Sequence, residues 1–112
     1  MDKIAKYKTA VRDFLKEYSG HYADDPSGIE TFLITDTVHK HYQIVRTGWT
    51  EGRFVYYLLF HLFLKNGKVW IQQNNTEDLI GDDLVRHGIP KSEIVLGFQP
   101  EEVRHLTGFG VA

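Results

Sequence analysis

From Asp2 to Tyr18 the apolar residues Ile4, Tyr7, Val11, Phe14, Leu15 and Tyr18 recur at steps of three and four, with lysines between them. That is the period of an amphipathic helix. Ser19-Gly20 supplies its stop, and Tyr22 to Gly28, containing Asp24-Asp25-Pro26-Ser27-Gly28, is turn chemistry. Beyond it the period changes. Ile29 to Asp36 and His41 to Trp49 are rich in β-branched and aromatic residues, which predicts two strands joined near Thr37-Val38-His39-Lys40. Trp49 to Arg53 reads as a second tight connection into a strand from Arg53 to Leu64. Asn66-Gly67, a dipeptide suited to a type I′ turn, separates that strand from Lys68 to Gln73.

Asn74 to Asp78 closes the sheet and opens a helix, with Asn75 or Thr76 as its cap and Leu79, Ile80, Leu84 and Val85 as its buried side. His87-Gly88 ends it, ahead of Pro90. Ile94-Val95-Leu96 reads as a short extra strand or extended segment beyond the meander, and Pro100-Glu101-Glu102 begins a last brief helix. The expected fold class is α+β in one domain over residues 1–112: an N-terminal helix, a four-stranded antiparallel meander and short C-terminal helices.

The third strand departs from simple alternation. One side carries Phe54, Tyr56, Leu58, Phe60, Leu62 and Leu64, and the other Val55, Tyr57, Leu59, His61 and Phe63, so both sides are apolar. An antiparallel sheet that wets one face alternates apolar with polar. One long helix and two short ones cover a single side, so the second side calls for a protein lid. Homo-oligomerisation is the expectation, with Phe54, Tyr56, Tyr57, Leu59, His61 and Phe63 as the candidate oligomer face.

Composition narrows the function. Across 112 residues, 42% are hydrophobic and 13% aromatic, which excludes a disordered chain. A net charge of -2 supplies no global field for phosphate, so direct nucleic-acid binding is disfavoured. The first helix is the exception: Lys3, Lys6, Lys8, Arg12 and Lys16 outnumber Asp2, Asp13 and Glu17. Cysteine is absent, which removes thiolate chemistry and suits a cytoplasmic location. The polar start does not read as a secretory signal. Phe54 to Leu64, interrupted by His61, is too short for a membrane helix of about 20 residues, so no membrane is expected as partner.

Candidate chemistry is sparse. His39 and His41 form a His-x-His pair with metal-site spacing but no third ligand nearby in sequence, so solvated histidines are the plainer reading. Asp78 and Asp82 share a helix side at i,i+4, which capping and solvation explain. Ser19, Ser27 and Ser92 lie in turns without a nucleophile elbow, and Gly108-Phe109-Gly110 lacks the flanking strand and helix of a phosphate loop. No cofactor, metal or catalytic constellation is predicted.

Gly48-Trp49, Lys68-Val69-Trp70-Ile71-Gln72-Gln73, Thr76-Glu77-Asp78 and Ile94-Val95-Leu96-Gly97-Phe98-Gln99-Pro100-Glu101-Glu102-Val103-Arg104 together carry a resemblance. The chain resembles the XisI family, the fdxN element excision controlling factors of cyanobacteria, along essentially its whole length. Gln99 departs from the histidine that relatives often place before the proline. The resemblance implies a non-enzymatic accessory role in excision of a DNA element, in which a separate recombinase breaks and rejoins the strands. It also implies a companion, an XisH-like protein, as partner, and supplies no catalytic residue. The matched residues Trp70, Gln72, Gln73, Thr76, Glu77, Asp78, Phe98 and Arg104 form the candidate partner-binding surface. Two rival readings stand beside it: a subunit of a metal-dependent nuclease-like complex using the acids near Asp78, and direct DNA binding through Lys3, Lys6 and Lys8.

Overall fold

Asp2 accepts the Ala5 backbone N–H at 2.8 Å and caps the first helix, α1 (Lys3–Gly20). The computed structural model describes residues 2–112. Along α1 the predicted stripe of Tyr7, Val11, Phe14, Leu15 and Tyr18 is buried, joined by Ala10. The helix runs through Ser19-Gly20 rather than stopping before them.

The strands are β1 (Glu30–Asp36), β2 (His41–Thr50), β3 (Arg53–Lys65) and β4 (Lys68–Asn74), each antiparallel to the next. Asn66 and Gly67 have φ of 54° and 74°, the two positive values a type I′ turn requires. Glu51 and Gly52, at 50° and 76°, repeat the arrangement between β2 and β3. Gly48 is needed for another reason: a Cβ there would lie 2.8 Å from the Gly28 carbonyl oxygen, so its lack of a side chain lets the loop after α1 lie against β2.

After β4 come α2 (Ile80–Arg86), a 3-10 turn (Lys91–Glu93), β5 (Ile94–Leu96) and a second 3-10 turn, Glu101–Leu106. β5 corrects the expected four-stranded meander. It pairs parallel to β4, Val69 with Ile94 and Ile71 with Leu96, to give a five-stranded mixed sheet in the order β1-β2-β3-β4-β5. A parallel neighbour needs a crossover, which α2 supplies. Gly110 then bridges Val95.

The start of α2 also differs from expectation. Neither Asn75 nor Thr76 caps the helix: Asn75 Nδ2 donates to the Leu58 carbonyl at 2.9 Å, while the Asn74 side-chain oxygen accepts the Thr76 N–H at 2.9 Å and the Thr76 hydroxyl accepts the Asp78 N–H at 3.2 Å, organising the preceding turn. Of the expected buried side, Ile80 and Leu84 are buried while Leu79 and Val85 are exposed.

The two helices with buried residues, α1 and α2, pack on one face of the sheet. Phe14 stacks on Phe60 at 5.5 Å and Tyr18 meets the same ring edge-on at 5.1 Å. Tyr42, Ile44, Leu62, Leu64, Val69 and Ile71 complete that core from the strands. A β-bulge sits where Ile44 pairs with Phe60 but Val45 pairs with Leu58, leaving Leu59 between them. The bulge turns Leu59 inward, only 3% exposed, and exchanges the two sides of β3 beyond it. Phe54, Tyr56 and Leu58 therefore share the outer face with His61 and Phe63, while Tyr57 pairs with Arg46 on the helix side.

Candidate functional site

The face away from the helices is built row by row from strand register. Phe32, Val45 and Leu58 form one row across β1, β2 and β3. Trp49 and Phe54 form another at the far end, their rings 5.4 Å apart. At the opposite end Phe63 stacks on Trp70 at 5.6 Å with the rings nearly parallel. Phe32, Ile34, Trp49, Phe54 and Tyr56 are all exposed, Tyr56 to 65%. Isolated exposed apolar residues are ordinary; here the exposed apolar residues are spread over three neighbouring strands of one face.

A polar stripe crosses the middle of this face. Gln43, His61 and Gln73 are register neighbours on β2, β3 and β4. His41 Nδ1 lies 3.0 Å from His61 Nε2. Burial, and secondarily the neighbouring His41, hold His61 below the usual histidine value. The His-x-His motif is thus divided: His39 sits in the β1–β2 turn with Nδ1 2.7 Å from Asp36 Oδ2, while His41 partners a histidine twenty residues away in sequence. Two imidazoles are half of a four-ligand zinc set, and among the described residues no group of three or more His, Cys, Asp or Glu is gathered to hold a metal.

The C-terminal segment covers one margin of the face. Arg104, from the second 3-10 turn, lies over the Trp70 ring at 5.2 Å and donates from Nε to the Gln99 carbonyl at 3.1 Å. Lys65 Nζ lies 5.7 Å from the centre of the same ring. The Trp70 indole N–H is buried there without a hydrogen-bond partner. Val95, the register partner of Trp70, is fully buried. Coverage stops at this margin.

The eight residues singled out for partner binding do not form one surface. Trp70 and Gln72 lie side by side against Gly97, where a Cβ would come within 3.1 Å of the Trp70 ring and 2.7 Å of the Gln72 side-chain oxygen. Arg104 joins Trp70, while Gln73 borders His61 and donates to Asn75 at 2.6 Å. Thr76 and Asp78 hold the turn instead. Asp78 accepts the Tyr18 hydroxyl at 2.5 Å, and burial followed by this carboxylate raises the Tyr18 pKa. Phe98 lines a cleft of about 110 Å³ together with Asp78, Asp82 and Phe109. Glu77 is exposed. Of the candidate oligomer face, Phe54, Tyr56, His61 and Phe63 share the open side, Tyr57 belongs to the helix side and Leu59 to the core.

Sequence reasoning passed over Arg46. It is buried on the helix side of β2, where Nε donates to the Thr31 hydroxyl at 3.0 Å, NH2 pairs with Asp25, and the guanidinium lies 4.1 Å above the Tyr22 ring. The Ser27 backbone N–H and then Arg46 hold the Asp25 carboxyl below its usual range. This fastens the loop after α1 over the part of the sheet the helix does not reach. An arginine among alternating apolar residues, matched with Asp24-Asp25 upstream, was the available signal.

Among the described residues no helix is long and apolar enough to cross a membrane. The family described as XisI protein matches residues 1–111. The chain is similar to a crystallised XisI-like protein from Anabaena variabilis, with 37% identity over 97% of this chain and 99% of that one and a TM-score of 0.87. It is also similar to the crystallised fdxN element excision controlling factor XisI from the same organism, with 31% identity over 99% and 100% of the two chains and a TM-score of 0.82. A comparison with curated proteins finds no match.

Proposed function

The chain belongs to the XisI family, and from that premise we propose that it is a non-enzymatic controlling factor in site-specific excision of a DNA element. It works by protein assembly. The observation that carries this reading is the aromatic face running from Trp49 and Phe54 to Phe63, left open by the helices. A relative is described as an fdxN element excision controlling factor, which supplies the process.

A second copy of this chain is the occupant that fits the face. With strands about 4.8 Å apart and residues about 3.3 Å apart, the open area is roughly 500 Å² per copy. Two such faces together bury about 1,000 Å², the size at which specific interfaces begin. The charges are also self-complementary: the β1 margin carries Glu30 and Asp36, and the β3–β4 margin Lys65, Lys68 and Arg104. A two-fold axis along the strands lays the acidic margin of each copy over the basic margin of the other. The assembled pair then engages a companion XisH-like protein or the recombinase.

Light scattering of the purified protein, alone and mixed with its companion, tests this reading. A dimer that also binds the companion is the expected result. A chain that stays monomeric at high concentration and ignores the companion would overturn it.

A further inference from the structure

The cleft between α1 and the end of β1 is lined by Lys8, Arg12, Thr35, Thr37 and Tyr42, with a volume of about 110 Å³. Every one of these side chains can donate a hydrogen bond, and none is a carboxylate. Lys8 and Arg12 stand one helical turn apart on α1, so both cations face the same opening. Lys8 Nζ is held at its mouth by the Thr37 carbonyl at 3.2 Å. Among the described residues Arg12 forms no ion pair.

Tyr42 supplies the second, independent observation. Its residue is 2% exposed, yet its hydroxyl has no hydrogen-bond partner. A buried polar group left unpaired costs about 1–3 kcal/mol, so such a group calls for a ligand. One carboxylate, Asp36, acts on the Tyr42 hydroxyl from outside the lining, opposed by Arg12; it accepts the Val38 and His39 backbone N–H groups at 3.1 and 3.0 Å and contacts the His39 ring. Lys8 and Arg12 outnumber that single carboxylate, so the cleft is net cationic.

We infer that this cleft binds a single tetrahedral oxyanion of the phosphate class, held by Arg12 and Lys8 at the mouth and by the Tyr42 hydroxyl at the base. Arg12 offers the planar fork that matches two phosphate oxygens, and the threonine hydroxyls complete the donor set. The oxyanion is either a free phosphate monoester or one phosphodiester of a DNA backbone. The inference does not depend on how the open face is covered.

The test is a titration of the full chain with inorganic phosphate at constant ionic strength, followed through backbone amide resonances, with chloride as the reference. Saturable shifts confined to Lys8, Arg12, Thr35 to Thr37 and Tyr42 are expected. Arg12→Gln should weaken binding about tenfold or more, and Tyr42→Phe, which keeps the ring, about fivefold. Shifts that chloride reproduces, no saturation by tens of millimolar phosphate, or an affinity untouched by Arg12→Gln would overturn the inference. A duplex oligonucleotide weakened by Arg12→Gln to the same extent assigns the site to DNA phosphate. Phosphate binding without DNA binding assigns it to a free monoester.

Discussion

The two faces of the sheet are made from similar residues and end in opposite circumstances. On the helix side Phe60, Leu62 and Ile44 are sealed under α1, with no exposure. On the other, Phe54, Tyr56 and Trp49 are each at least 60% exposed. Side-chain chemistry does not separate them. What separates them is helix length: one eighteen-residue helix and one of seven suffice for a single face. The core face is thus a matter of stability within the chain, and the open face, in the function proposed above, a matter of association between chains.

Phe60→Ala should show the largest effect. Its ring meets both Phe14 and Tyr18 in the core, so truncation should cost about 3–5 kcal/mol, read as a lower urea midpoint. An unfolding free energy changed by less than about 1 kcal/mol would mean the core is packed differently.

On the open face the same kind of change should move a different quantity. Phe54→Ser with Tyr56→Ser should alter single-chain stability little, by about 0.5 kcal/mol per site. The same pair should weaken self-association by about tenfold to a hundredfold per buried aromatic, read by sedimentation. Loss of folding stability without loss of association would reverse the assignment of the two faces.

Arg104→Gln probes the boundary between covered and uncovered surface. Removing the guanidinium from the Trp70 ring should cost about 0.5–1 kcal/mol. Faster amide exchange in residues 101–106 and greater indole quenching would report that the margin has opened.

Much of this contrast was legible before the fold was known, and the failures have physical causes. The α1 stripe, the Asn66-Gly67 turn and the doubly apolar third strand all rest on local period and turn chemistry, which the chain displays openly. The bulge at Leu59 does not: one extra residue reverses the side of everything beyond it, and no residue type marks it. Tyr57 and Leu59 were misplaced for that reason. The parallel pairing of β5 was hidden because three residues are too few to show a period. The scatter of the Trp70 to Arg104 set arose because a family match says which residues recur, not which of them face together. Thr76 and Asp78 serve the turn before α2, whereas Trp70 and Arg104 meet through tertiary packing alone.

The smallest expected effect is a titration, and it sharpens the contrast because its group lies on the open face. His61 is held below the ordinary histidine value, first by burial and then by His41. The unfolded chain therefore takes up a proton there more readily than the folded one. Above the unfolded value of about 6.5 both states are neutral and stability is unaffected. As pH falls below it the unfolded state gains protons first, so stability declines, and the decline ends once pH is below the folded value. Urea midpoints measured between pH 7.5 and 5.5 should thus fall more steeply for the natural sequence than for His61→Gln. His41→Gln should fall in between, because it removes the smaller contribution and leaves burial in place. The comparison between variants cancels every contribution the variants share. Identical slopes for the natural sequence and His61→Gln would mean that the imidazole is fully hydrated, and that the centre of the open face is wetter than its aromatic borders require.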